Sequence, residues 1–354
     1  MKIRQNIKLS DFNTFRTGGN ARFFCEVKSD SELTDALIFA KTNKLKFFVI
    51  GNGSNVLLND RNFSGLVIKI CIKNIKIEST KDADFCGSEC GFSWTESTNG
   101  KRSVISASAG ESFNDLIKFS IKNNLSGIEN LWNIPGTVGA SIVQNIGAYG
   151  VEVKNHVISV EGIDANTLNK FIFNNINCKF GYRDSVFKKN KNLVITKVFY
   201  KLNNFFKPNL RYIALKEVFL NIKTPNIIEV VKAIEVIRKD KLPDWKKNGT
   251  AGSFFKNSIV SEKKYKELLI KYPNLPKHEA RKGFVKIPLG FVLDKICGLK
   301  GKRIGKVGLY EKQSLVIVNY GGATFNEIDN FAKFIEKEVY KKIKIKIERE
   351  VEII

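Results

Sequence analysis

The chain has 354 residues, enough for a sizeable buried core and two or three domains. Hydrophobic residues at 43% and charged residues at 27% are ordinary for a globular protein, and no apolar run is long enough to predict a membrane span. The formal net charge of +24 raises the question of nucleic acid, but the Lys and Arg residues are spread over the whole length, with no zinc-finger spacing, RNA-recognition motif or basic arm.

The enrichment of Lys together with Asn, Ile and Phe reads as compositional drift, with an anionic substrate or cofactor as a partial cause. The first dozen residues lack the continuous apolar stretch of a signal peptide, so a cytoplasmic protein is expected. The six cysteines are scattered, and Cys86 and Cys90, the one close pair, have no histidine near them in sequence. Reduced thiols and no metal site are expected.

In chain order, Ser29-Asp30-Ser31-Glu32 is an N-cap signal ahead of Leu33, Ala36, Leu37, Phe39 and Ala40, whose spacing predicts one apolar helix face. Phe47–Ile50 predicts a buried strand, followed by the loop Gly51-Asn52-Gly53-Ser54-Asn55, a short strand at Val56–Leu58, a turn at 59–62 and a strand at Leu66–Ile70. Residues Lys81–Arg102 are polar and rich in Ser, Glu and Gly, which predicts a long hairpin tip or an insertion. A helix follows around Phe113–Ile121, and strands are predicted at Val157–Val160 and Leu193–Val198. Beyond a boundary placed near residue 218, helices are predicted at Ile227–Arg238, Ser261–Tyr272, Gly290–Cys297 and Asn326–Tyr340, with a strand at Ser314–Asn319. The alternation Ile343-Lys344-Ile345-Lys346-Ile347-Glu348 predicts a half-buried terminal strand.

The Gly51–Asn55 loop lacks the third glycine of the dinucleotide fingerprint, because Val56 stands there, and it has no Gly-Lys-Ser/Thr ending. Successive N–H groups with the Ser54 hydroxyl and Asn55 amide suit a pyrophosphate, but Asn-Gly also favours a plain tight turn. Other dense segments follow the same order along the chain: Asn13–Gly19, Gly110-Glu111, Ile134–Gly139, Gln144–Gly150, Gly181-Tyr182-Arg183-Asp184-Ser185, Gly252-Ser253-Phe254-Phe255-Lys256-Asn257 and Arg349-Glu350.

This ordered set, over nearly the whole chain, resembles the UDP-N-acetylenolpyruvoylglucosamine reductase family, in the form that carries an extra tyrosine loop. The resemblance implies an α+β fold: an FAD-binding part of the vanillyl-alcohol-oxidase type and a separate C-terminal α+β substrate domain. Expected divisions are 1–68 plus 338–354 and 69–218 for the two FAD-binding subdomains, and 219–337 for the substrate domain. The implied activity is NADPH-dependent reduction of UDP-N-acetylglucosamine-enolpyruvate to UDP-N-acetylmuramate for peptidoglycan synthesis, with FAD as cofactor. By analogy Gly51, Gly53, Ser54, Asn55 and Val56 would meet the FAD pyrophosphate, and Gly136, Gly139, Asn145 and Gly147 would form a second flavin loop. Arg183, Ser253 and Glu350 would be catalytic. Tyr212, Lys241, Asn257, Lys300 and Gln313 would bind the sugar nucleotide. The expected partners are that substrate and NADPH, without nucleic acid or membrane, and the chain is expected to act as a monomer.

Each of the three catalytic assignments has a plainer alternative. Arg183 beside Asp184 could be a surface ion pair, Ser253 after Gly252 a turn cap, and Glu350 a solvated residue of a charged strand. Two positions depart from the family pattern: Arg349 stands where proline is expected, and Glu352 where arginine is expected. The competing functions are another flavoenzyme of the same fold, and a basic binding protein without turnover.

Overall fold

A computed structural model describes residues 1–78, 102–222 and 224–354. The proposed insertion at Lys81–Arg102 lies outside the described residues except for Arg102, and Cys86 and Cys90 fall there too. The chain divides into two compact units, one of Met1–Ile7, Ala21–Asn52 and Phe63–Arg238, the other of Lys8–Asn20, Gly53–Asn62 and Lys239–Ile354.

In the first unit a four-stranded sheet runs in the order Ile3–Lys8, Asn20–Val27, Phe63–Ile70, Phe47–Ile50, and the last two pairings are parallel. The helix Asp30–Thr42 forms where its apolar spacing predicts, burying Leu33, Ala36, Leu37 and Ala40. Ser29 caps it by accepting from Glu32 N–H at 3.2 Å, while the Glu32 carboxylate accepts from Lys28 N–H at 2.6 Å. A five-stranded antiparallel sheet has the order Lys170–Asn174, Val157–Asp164, Leu193–Asn203, Arg102–Ser108, Ile75–Ile77. Val160, Val194, Val198, Leu202 and Ile105 from its central strands join the main core of this unit.

The second unit is built around the helix Phe325–Ile343, whose Thr324 and Glu327 form a reciprocal capping box. It buries Ile328, Phe331, Ala332, Ile335, Val339 and Ile343, giving the apolar stripe a 3.6-residue period requires. Around it stand two three-stranded antiparallel sheets, and Glu352–Ile353 pairs in parallel with Val56–Leu57.

The terminal strand predicted from Ile343 to Glu348 is not there. The helix continues through Ile343 and stops at Lys344, which adopts the left-handed conformation with φ 55°. Residues 344–348 then carry no strand pairing, although Ile345 and Ile347 pack on the core while Lys344 and Lys346 are exposed. An alternating pattern specifies which face is buried, and an extended segment meets that demand without a neighbouring strand. The helix predicted at Gly290–Cys297 is also irregular, a short α-turn Leu289–Phe291 running into a π-turn Val292–Ile296. Among the described residues no helix is long and apolar enough to cross a membrane, and no group of three or more His, Cys, Asp or Glu could hold a metal ion.

Candidate functional site

The first glycine loop spans the division between the units. On the side of the first unit, a Cβ added to Gly51 would stand 2.6 Å from the Thr137 hydroxyl, so the two glycine loops approach each other with no room for a side chain. Thr137 itself caps the short helix Val138–Val143, accepting from Ala140 N–H at 3.4 Å. Gly136 has φ 137°, and the Gly139 N–H donates to Ala109 carbonyl at 2.9 Å.

In the second unit, Gly53 sits at φ 62°, and a Cβ there would overlap the Phe12 carbonyl. Its own carbonyl accepts from Thr14 N–H at 3.0 Å. Asn55 then binds the chain terminus from both sides: its side-chain amide donates to the Glu350 carbonyl at 3.2 Å, and its carbonyl accepts from Glu352 N–H at 3.0 Å. Val56 opens the strand that pairs with Glu352.

Asn145 is fully buried with φ 47° and joins the second loop to the Gly181–Ser185 turn. Its amide donates to Gly181 carbonyl at 2.8 Å and to the Glu152 carboxylate at 3.1 Å, and its oxygen accepts from Lys154 N–H at 3.2 Å. Arg183, at φ 53°, reaches back and donates to the Gly147 carbonyl at 2.5 Å and the Asn145 carbonyl at 3.4 Å. A Cβ on Gly147 would crowd Glu152 and the Val151 carbonyl at 2.9 and 3.0 Å as well as the Arg183 guanidinium at 3.1 Å. Asp184 pairs with Lys189 at 2.7 Å, and Ser185, fully buried, donates to Val143 carbonyl at 2.6 Å. The guanidinium is therefore hydrogen-bonded to the second glycine loop, and Asp184 pairs with Lys189.

The segments that carry Ser253 and Glu350 adjoin within the second unit. Ser253 bridges Val316, Phe254 N–H donates to Leu315 carbonyl at 2.8 Å, and Phe254 carbonyl accepts from Glu350 N–H at 2.8 Å. Phe255 bridges Arg349 on the same side. Gly252, at φ 72°, makes the turn that delivers Ser253. Glu350 is half-buried and its backbone is held on both edges, so it is no frayed terminal residue.

The residues expected to meet the sugar nucleotide fall in three places. Asn257 accepts from Leu289 N–H at 2.9 Å, and a Cβ on the adjacent Gly290 would sit 3.2 Å from the Gln313 amide oxygen, so Asn257 and Gln313 flank the short α-turn that runs into the π-turn. Such turns often mark functional positions. Lys300 pairs with Asp294 of that turn at 3.5 Å. Lys241 ends the helix Ile227–Lys241. In the first unit, Tyr212 is 40% exposed and meets Tyr149 edge-on, with ring centres 4.9 Å apart. Burial raises the Tyr149 phenol pKa, while the Arg238 guanidinium hydrogen-bonded to it pulls the other way. Asn130 fixes this loop, donating to Tyr149 carbonyl at 2.8 Å and Asn209 carbonyl at 2.9 Å.

Several supporting residues carry no local signal in the sequence. Thr14 donates through its hydroxyl to Thr250 carbonyl at 2.5 Å, just before Gly252-Ser253, and Asn319 donates to Phe15 carbonyl at 3.0 Å. Asp60 accepts from Phe325 N–H at 2.5 Å at the start of the long helix and from Gly18 N–H at 3.3 Å. Only the density of polar residues in Asn13–Gly19 hinted at this hub.

Residues 21–167 match the model of an FAD binding domain, and residues 244–354 match that of the UDP-N-acetylenolpyruvoylglucosamine reductase C-terminal domain. The match thus covers both glycine loops, where in the first unit neither Gly51 nor Gly139 leaves room for a side chain; FAD is the cofactor. The UDP-N-acetylenolpyruvoylglucosamine reductase of Flavobacterium johnsoniae is 39% identical over all of both chains, and that of Polynucleobacter asymbioticus is 36% identical over 100% of this chain and 97% of its own. The crystal structure of UDP-N-acetylenolpyruvylglucosamine reductase from Thermus caldophilus shares the fold, with a TM-score of 0.64 at 21% identity over 99% of this chain and 98% of that one. The α+β architecture read from the sequence is thereby established, and with identity of this order over its entire length the chain belongs to the UDP-N-acetylenolpyruvoylglucosamine reductase family.

Proposed function

We propose that the chain reduces the enolpyruvyl ether of UDP-N-acetylglucosamine-enolpyruvate to UDP-N-acetylmuramate with NADPH, as a step in peptidoglycan precursor synthesis in the cytoplasm. The observation that carries this reading is the placement of Ser253 and Glu350 on adjoining segments joined by the 2.8 Å bond from Glu350 N–H to Phe254 carbonyl.

When bound, FAD would supply the hydride chemistry, with NADPH as the reductant and the enolpyruvyl ether as the group reduced. Gly51, Gly53, Ser54, Asn55 and Val56 would hold its pyrophosphate, and Gly136, Gly139, Asn145 and Gly147 would form a second flavin-contacting loop. The reduction builds negative charge toward the substrate carboxylate, so its transition state needs electrophilic help. Arg183 is permanently charged and planar, suited to bind that carboxylate through two parallel N–H bonds. Glu350 would stabilise the same charge as a protonated or hydrogen-bonded carboxyl. The Ser253 hydroxyl would donate its proton to the carbon bearing the ether oxygen and be reprotonated from solvent. Asn257, Gln313, Lys241 and Lys300 would hold the uridine diphosphate, and Tyr212 would cover it.

The test is an anaerobic titration followed by visible spectroscopy. The purified protein should carry flavin bands that NADPH bleaches and UDP-N-acetylglucosamine-enolpyruvate restores. Failure of the enolpyruvyl sugar to restore them would exclude this reaction in favour of another flavoenzyme chemistry. A colourless protein that FAD cannot reconstitute would leave a binding protein.

A further inference from the structure

Arg349 replaces the proline expected next to Glu350, and the structure pairs it with two carboxylates. Its guanidinium donates through Nε to Glu336 at 2.6 Å and through an Nη to Asp329 at 2.5 Å, both on the helix Phe325–Ile343. Lys333 pairs with the same Asp329 at 2.7 Å. The side chains of Arg349 and Asp329 are only 17% and 14% exposed. The guanidinium also lies 5.8 Å from the centre of the Phe254 ring, the residue whose carbonyl receives the Glu350 N–H.

The setting makes this anchor consequential. The preceding residues 344–347 have no strand pairing, and the segment is held at Glu348, whose carbonyl accepts from Lys256 N–H at 2.9 Å. Proline would stiffen the segment by fixing φ; arginine does not, and leaves more conformations to exclude. We propose that Arg349 is a positioning residue for the proton-transfer and charge-stabilising site, holding Glu350 in register with Ser253 by clamping the terminal segment to the long helix through Asp329 and Glu336. In an extended segment neighbouring side chains leave opposite faces, so Arg349 can grip the helix while Glu350 faces the other way. The inference rests on the proposed role of Glu350.

Stopped-flow kinetics on the FAD-loaded protein separate the two. Arg349→Met should slow flavin reoxidation by the enolpyruvyl sugar about tenfold or more, the scale at which small displacements of catalytic groups act, and change flavin reduction by NADPH less than about twofold. Arg349→Lys, which keeps the charge but cannot reach both carboxylates in one plane, should lie between. Glu336→Gln, a milder change, should show the same selectivity if Arg349→Met does not fold. In a Glu350→Gln background the Arg349→Met change should have little further effect, because its influence passes through Glu350. Equal slowing of both half-reactions by Arg349→Met or Glu336→Gln, or undiminished slowing in the Glu350→Gln background, would overturn the positioning role and leave the proposed reaction standing. If Glu350→Gln alone leaves reoxidation unchanged, the failure lies with the assignment of Glu350, and the inference falls with it.

Discussion

The Asn55 side-chain amide and the Glu350 carbonyl, 295 residues apart in sequence, are joined by a hydrogen bond of 3.2 Å. A residue of the first glycine loop thus holds the backbone of the proposed catalytic glutamate, and Glu352 N–H returns a bond of 3.0 Å to the Asn55 carbonyl. The loop assigned to the cofactor and the segment assigned to the chemistry are one mechanical element.

Asn55→Ala should therefore affect two readouts at once. Losing the amide removes roughly 1 kcal/mol of stability, the usual net worth of such a bond. The melting temperature should drop by a few degrees, FAD should bind more weakly, and reoxidation by the enolpyruvyl sugar should slow. Fluorescence titration of the apoprotein with FAD, beside single-turnover reoxidation, checks this. A weakened flavin with normal reoxidation would show that Asn55 does not support Glu350.

Arg183→Lys keeps one positive charge but loses the planar fork and the reach to two carbonyls. If Arg183 binds the substrate carboxylate, reoxidation should fall about a hundredfold, comparable to removal of one donor aimed at developing charge. Flavin reduction by NADPH should change by a small factor. A uniform loss in both half-reactions would mean that Arg183 only holds the 145–147 loop in place.

Ser253→Ala removes a hydroxyl and nothing else of size. Flavin reduction by NADPH should survive, while reduction of the enolpyruvyl substrate collapses. Reduced enzyme run in deuterium oxide offers a second check, since the proton placed on the ether-bearing carbon comes from an exchangeable group. Equal loss of both half-reactions would sink the proton-donor role.

Gly53→Ala probes the first loop. An alanine at φ 62° costs about 1–2 kcal/mol in backbone strain before any clash. The Phe12 carbonyl stands where the methyl would go, so the loop must move. Thermal denaturation should show a loss well beyond the strain alone, with FAD retention falling in parallel. Gly283→Ala has a similar φ of 79° with nothing within 4 Å of the added methyl, and should cost only the strain.

Local elements were legible because their causes are local. Ser29, Glu32 and the spacing of Leu33, Ala36, Leu37 and Ala40 state a helix within a dozen residues, and Phe47–Ile50 followed by glycine states a strand and its exit. The glycine loops and the Gly181–Ser185 turn were legible as a set because their order is specific to one family. The terminal segment misled, since Ile345 and Ile347 alternate with lysines yet pair with no strand. Asp60, Asn319 and Arg349 were illegible for a different reason: each earns its place through partners remote in sequence, such as Phe325 for Asp60 and Glu336 for Arg349. Nothing in a period or a cap signal encodes such distant pairings.

The pH dependence of stability should carry a signature of His156. Its ring stands against Gly127, where an added Cβ would lie 2.5 Å from the imidazole carbon, and Nδ1 lies 3.4 Å from the Lys201 carbonyl. Burial lowers its pKa below the ordinary 6.5, and the nearby Arg102 charge pushes the same way against a raising hydrogen bond to Lys201. The unfolded chain then takes up a proton near pH 6.5 that the folded site refuses, so stability is fully present above that pH and is lost as pH falls below it. His278 is shifted down as well, by burial and by Lys286, and adds a second slope of the same sign. Chemical denaturation at pH 7.5 and pH 5.5 should show wild type weakening at the lower value, His156→Gln weakening less, and the double variant with His278→Gln weakening least. A His156→Gln profile with an undiminished slope would mean that the loss arises from carboxylates, whose protonation should set in nearer pH 4.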